Sequence, residues 1–222
     1  MNTQNQPHLN GSEALIAESH KNKMTCDFEM AEKFLKALDP EATKFTFQTF
    51  YDPKNKKLSK KEKKEYARIF HGRFYDLAPK LSEMNKRGAG VFVAVNETDF
   101  HGRSEKNIVG LRSAFVDADN GPIEKFALKP SIIVDTKNGL HGYWRLKLNE
   151  PLELFTRLQL NLSWHLNTDP SVSDLPRAMR LAGFFHQKNS QAPFLITVRE
   201  VNDLAYSIEE IYQAYPPRRE DV

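Results

Sequence analysis

An α+β fold is what this amino-acid sequence predicts, on three observations. A capped, helically spaced apolar segment lies near the start, four short β-rich runs fall between residues 90 and 146, and further helical segments flank those runs. Helices and strands are interleaved without an internal repeat, which implies a mixed sheet.

Residues 1 to 24 are polar and aperiodic, the composition of a disordered arm. Phe28, Ala31, Phe34, Leu35 and Leu38 then recur at helical spacing, with Asp27 placed to cap and Asp39-Pro40 to terminate. Phe45–Tyr51 alternates aromatic and polar residues, the pattern of a half-buried strand. Lysines at 54, 56, 57, 60, 61, 63 and 64 follow. Ser59 is placed to cap a helix that the spacing carries through Tyr66, Ile69, Phe70, Phe74 and Leu77. The simpler reading of the lysine run is a solvated loop and first turn; the functional one is a phosphate-contacting patch.

From residue 88 the texture becomes β-rich, with strands expected at Gly90–Asn96, Arg112–Asp119, Ser131–Asp135 and His141–Leu146. Turn residues separate them at Asn96–Gly102, Asn120–Pro122 and Lys137–Gly139. Residues 151–166 place Leu154, Leu158 and Leu162 on one helical face. A last strand is expected at Phe194–Val201, and Ser207 with Glu210 forms a capping box for a short final helix. Residues 25–215 thus read as one folded unit between the arm and a charged tail at 216–222.

Composition narrows the function. The 222 residues carry a formal charge of +3, with a pI near 8.8, which permits a nucleic-acid partner without demanding one. The single cysteine, Cys26, excludes an intrachain disulfide framework and a cysteine-based zinc site. No segment has the apolar length of a membrane span, and the polar start lacks the core of a signal peptide. The expected location is cytoplasmic.

The most informative segment is Ala114-Phe115-Val116-Asp117-Ala118-Asp119-Asn120-Gly121. Strand residues two apart share a face, so Asp117 and Asp119 project together from the end of an apolar strand. Paired carboxylates raise one another's pKa, and a divalent cation resolves the conflict. Oxygen-only ligands suit Mg²⁺ or Mn²⁺, and two-metal sites of this sort drive nucleotidyl transfer. The plainer alternative is a solvated strand end opening a turn. An EF-hand is excluded, since the rest of its loop is missing.

Two further segments carry chemistry. A turn rich in Asn and Gly, Lys137-Asn138-Gly139, delivers His141 to the start of a strand, where an imidazole can donate to a triphosphate oxygen or simply be satisfied by backbone. Between Asp169 and Lys188 lie two more acids, Asp169 and Asp174, with Arg177, Arg180 and Lys188 beyond them. Arginine forks bind phosphate in a bidentate manner, and lysine adds a point charge. The structural alternative is ion pairing among these neighbours themselves.

Taken in order, the acid pair, the His141 turn and Asp169 followed by Arg177-Ala-Met-Arg180-Leu resemble the archaeo-eukaryotic primase superfamily, and within it the RepB-like primases and primase-polymerases of plasmids, phages and prophages. Gly88–Asp99, Gly102-Arg103, Asn107-Ile108 and the closing Arg-Leu-Ala-Gly-Phe-Phe-His-Gln-Lys also fit, so the likeness covers about residues 28 to 200. No one motif is specific; their order and spacing are.

The resemblance implies an α+β catalytic core with an RRM-like mixed sheet and an N-terminal α/β subdomain. It implies Asp117 and Asp119 as ligands of Mg²⁺ or Mn²⁺, with Asp169 as third acid and Asp174 as its fallback. His141, Arg177, Arg180 and Lys188 would meet the incoming NTP or dNTP. A single-stranded DNA template would use Lys137 and Arg145 with stacking from Tyr143 or Trp144, one of which strand alternation should turn inward. The chain departs from many relatives at Lys137-Asn138, where serine is common, and at Ala182, where proline is common. A replicative helicase or helical accessory domain, usual in such systems, is absent, so a partner or a longer protein is expected to supply it. The rival readings are a rolling-circle nuclease, which lacks its His-x-His pair here, and a non-catalytic single-strand- or origin-binding module.

Overall fold

The computed structural model describes residues 24–54, 58–119 and 125–217. The expected N-terminal arm, Lys56, Lys57, the turn at 120–122 and most of the charged tail lie outside them.

The first helix, α1 (Phe28–Leu38), starts where Asp27 accepts a hydrogen bond from the Met30 amide, and it buries Ala31, Phe34, Leu35 and Leu38. That is the apolar stripe its spacing requires. Strand β1 (Phe45–Tyr51) follows. The continuous helix expected from Ser59 does not form. Instead α2 (Lys60–Tyr66) ends after two turns, β2 (Arg68–Gly72) pairs with β1, and α3 (Phe74–Lys86) begins anew. Ile69, Phe70, Phe74 and Leu77 sit at helical spacing, but the stiff and aromatic pair Ile69-Phe70 also suits a ladder, and an unpaired β1 edge takes it.

Strand β3 (Ala89–Ala94) pairs with the other side of β1, and β9 (Ala178–Arg180) closes a four-stranded sheet in the order β2-β1-β3-β9. A small hairpin, β4 (Glu97–Thr98) with β5 (Ile108–Gly110), occupies the segment read as a turn. The second sheet takes β6 (Ser113–Ala118), β7 (Ile132–Asp135), β8 (Leu140–Arg145) and β12 (Thr197–Val201), ordered β12-β7-β8-β6. All four of these strands were legible in the sequence. The run at Phe194–Val201 splits at Ile196 into β11 (Phe194–Leu195), which pairs with β10 (Phe185–His186), and β12. Every ladder among the described residues is antiparallel; a single parallel bridge, Leu146 to Tyr206, is what mixes the sheet.

Helix α4 (Phe155–Leu166) lies along β6, the edge of the second sheet. Gln159 on its buried face accepts from the Phe115 amide at 3.0 Å and donates to the Phe115 carbonyl at 3.0 Å, taking the place of a neighbouring strand. The last helix, α5 (Ile208–Ala214), starts in the expected capping box of Ser207 and Glu210. One apolar cluster runs from Cys26 to Tyr215 through both sheets. Arg112, buried at the start of β6, clamps to Asp39 at the end of α1 at 2.6 Å. No helix among the described residues is long and apolar enough to cross a membrane.

Candidate active site

The two sheets meet at a cleft of about 350 Å³ lined by residues of both. One wall is acidic and comes from β6 and β8. Register places Asp117 directly opposite His141, and Asp119 follows just past the strand end. The β7–β8 turn is held against this end. Thr136 accepts from the Gly139 amide at 3.1 Å and reaches Asp119 at 3.4 Å. A side chain at Gly139 would put its Cβ 1.9 Å from the Ala118 carbonyl oxygen, so only glycine lets the turn lie this close to the acid pair.

Asp117 is mostly buried, and its Oδ1 has no hydrogen-bond partner. Burial first, then the charges of Asp119 and Asp169, raise its pKa to about 6, against the opposing pull of Lys188 and Arg180. His141 is buried and its pKa is depressed to about 4 by desolvation. It is therefore neutral at pH 7, and its Nε2, 3.7 Å from Asp117 Oδ1, makes neither an ion pair nor a proper hydrogen bond. The fully buried Tyr143 hydroxyl lies 3.3 Å from His141 Nδ1 and shares a hydrogen bond with it, whose direction is set by the imidazole tautomer.

The facing wall is basic and comes from β9, β10 and the segments around them. Arg180 is partly buried and forms a bidentate pair with Asp52 at 2.7 and 2.9 Å, with its guanidinium over the Phe92 ring, 4.8 Å from the centroid. Asp52 also accepts from the Gln187 amide at 2.7 Å. Asn85, at the end of α3, holds the Phe185 backbone from both sides and so sets the strand that carries His186. His186 is buried with neither ring nitrogen partnered; desolvation first, then Arg180, lower its pKa to about 4. Arg177 is bound to Asp174 at 2.5 Å and to the Ser171 carbonyl, which leaves its buried Nε unpaired. Lys188 stands exposed at the rim.

The unpaired atoms are concentrated here. Of seven buried side-chain polar atoms without a partner among the described residues, four belong to Asp117, Arg177 and His186 of this one cleft. The acid wall offers a free acceptor and the basic wall free donors. Such groups are costly to bury unless a ligand satisfies them.

The structure brings together Asp117, Asp119, His141, Arg177, Arg180 and Lys188. Asp169 lies near enough to act on Asp117, but it is exposed and its carboxylate accepts from the Ser171 amide and hydroxyl, both at 2.8 Å. Asp174 is occupied by Arg177. Among the described residues no three His, Cys, Asp or Glu side chains are gathered closely enough to form a protein-only metal cage. The donor set nonetheless suits Mg²⁺, which is commonly held by one or two carboxylates with substrate phosphates completing its shell. The orphaned Asp117 oxygen fits the same ligand.

One expectation for template contact, base stacking on Tyr143 or Trp144, is corrected. Tyr143 and Trp144 are both wholly buried, Tyr143 against Phe34 and Trp144 against Phe126 and Tyr215, so neither can stack a base. Strand β8 is covered on both faces, which defeats the alternation rule. Arg145 sits at the far end of β8 from His141 and donates to the Asp203 carbonyl. Lys137 stays exposed beside the His141 turn. Sequence reasoning missed Asp52 and His186. His186 had a faint signal, two residues before Lys188; Asp52, before Pro53, looks like any turn residue.

No protein-family model matches the chain, and no curated protein matches it in sequence. Solved structures do. The AEP domain of the cyanophage S-2L primase-polymerase superposes with a TM-score of 0.68 at 17% identity, over 87% of this chain and all of that one. The primase RepB' matches with a TM-score of 0.59 at 17% identity, over 84% of this chain and 61% of that one. Its catalytic domain in complex with initiator DNA matches at 0.59 and 18% identity, over 84% and 92%. The chain has the fold of these primase catalytic domains.

Proposed function

We propose that the chain is the catalytic core of a DNA primase or primase-polymerase of a plasmid, phage or other mobile element, joining nucleotides on a single-stranded DNA template. The observation that carries this reading is the cleft with unpaired acceptor and donor atoms on opposite walls. A nucleoside triphosphate with its divalent cation satisfies both walls, and the fold shared with the S-2L primase-polymerase and RepB' domains supports the same reading.

In this proposal Asp117 and Asp119, with Asp169 beside them, hold Mg²⁺ or Mn²⁺. The chemistry a bound cation supplies is activation of the attacking 3′-hydroxyl and neutralisation of charge on the leaving pyrophosphate. The chain's own residues position and neutralise. Neutral His141, its ring held by Tyr143, donates to a phosphate oxygen without adding charge. Arg177 turns its free Nε to the triphosphate. Arg180 is held along its edge by Asp52 and over the ring of Phe92, a guanidinium already oriented for its ligand. His186 and Lys188 supply further donors on the same wall.

The test is the double variant Asp117→Asn, Asp119→Asn. It should lose primer synthesis by at least about a thousandfold and keep wild-type affinity for single-stranded DNA. Wild-type-like primer yield from this variant would remove the acid pair from the mechanism.

A further inference from the structure

The basic wall of the cleft continues onto the outer face of the first sheet. Register sets Ile69, Gln48, Phe92 and Arg180 in one row across that face, with Phe50 two residues from Gln48 on the same side. Phe50 is 41% exposed, whereas Gln48, between Phe92 and Ile69, is buried. Phe92 lines the cleft and meets Phe50 edge-to-face, with centroids 5.7 Å apart. Phe50 in turn lines a second hollow, of about 420 Å³, with Leu58, Lys54 and Lys63.

The two concavities are joined as one surface. Gly90, opposite Phe50 in the ladder, leaves no side chain between the ring and Arg180; a Cβ there would lie 2.9 Å from both the Phe92 ring and the Arg180 guanidinium. The Lys54 amide donates to the Lys188 carbonyl at 3.2 Å, which ties the lysine of the hollow to the segment that bears the lysine of the cleft. Helix α2 along the hollow buries none of its residues and carries Lys60, Lys61, Lys63 and Lys64 against Glu62 and Glu65. An exposed Phe50 ring bordered by excess positive charge fits a polyanion whose units have π-faces. A protein partner would instead favour a patch depleted of lysine.

We propose that single-stranded nucleic acid leaves the cleft past Phe92, with a base against the exposed Phe50 ring and its backbone on Lys54 and Lys63. That this strand is the template rests on the primase reading above; the binding surface itself does not.

The experiment is anisotropy of fluorescein-labelled oligothymidylate, without nucleotide or metal, over a salt series. Phe50→Ala should weaken binding about five- to a hundredfold, and Phe50→Tyr, which keeps the ring, should restore it. Lys54→Ala and Lys63→Ala should each lower the slope of log affinity against log salt by about 0.7. Lys36→Ala, on α1, should change neither. Wild-type affinity in Phe50→Ala with unchanged slopes in both lysine variants would overturn the proposal, as would equal competition by duplex DNA, whose bases cannot stack on a ring. Primer synthesis by the same wild-type preparation separates the two readings. Synthesis with unaltered variant binding removes this surface alone, whereas weakened variant binding with no synthesis upholds the surface and removes the primase.

Discussion

An ionised Asp117 is a burden on the metal-free fold. Its folded pKa, about 6, lies above the ordinary carboxylate value, so the folded state holds its proton more tightly than the unfolded chain does. The sign follows: this group costs nothing below pH 4, and stability falls as pH rises from 4 through 6. Asp117→Asn should therefore stabilise the metal-free protein at pH 7.5 by on the order of 2 kcal/mol, a rise of roughly 4–8 °C in Tm for a domain of this size. The gain should vanish at pH 4, and thermal melts at the two pH values read it. His141 and His186 act with the opposite sign. Their folded values of about 4 mean that stability is lost as pH falls from 6.5 toward 4. Asp52 matters through Arg180. In Asp52→Asn the guanidinium loses its charged clamp, so KM for the nucleotide should rise several-fold while kcat changes less. An unchanged KM would show that Arg180 needs no such orientation. None of this pairing is visible locally, because Asp52 and Arg180 stand 128 residues apart.

The elements that position the acid pair are fixed by a few polar contacts. Gln159 closes the β6 edge; Gln159→Met keeps the volume and leaves the Phe115 amide and carbonyl unpaired. A loss of about 2–4 kcal/mol is expected from chemical denaturation, since each buried unpaired group costs about 1–3 kcal/mol. Gly139→Ala should abolish most synthesis through displacement of the His141 turn, while circular dichroism stays native. Elements whose determinants are local were legible in the sequence: α1 from Asp27 and its stripe, α5 from Ser207 and Glu210, and β6 to β8 from their runs between turns. β2 was not, because Ile69, Phe70 and Phe74 satisfy helical spacing and only pairing with β1 decides between the two. The inward turn of both Tyr143 and Trp144 was hidden for a similar reason. Alternation tells one face from the other only where one of them is wet, and β8 is covered on both.

At the scale of the molecule, the cleft exists because one apolar core holds two antiparallel sheets in contact, each supplying one wall. The residues of the site come from stretches as far apart as Asp52 and Lys188, so their chemistry could be read from type and order but their convergence could not. A ligand that bridges the walls should stabilise the whole chain. Nucleoside triphosphate with Mg²⁺ should raise Tm more than either alone, and Asp117→Asn should suppress that rise. The most direct test of the central claim is incubation of the wild-type protein with unprimed circular single-stranded DNA, labelled nucleotides and Mg²⁺ or Mn²⁺. Short labelled oligonucleotides annealed to an intact circle are expected, with pyrophosphate released. Stable binding of the circle with no labelled product, or a nicked circle, would contradict that claim.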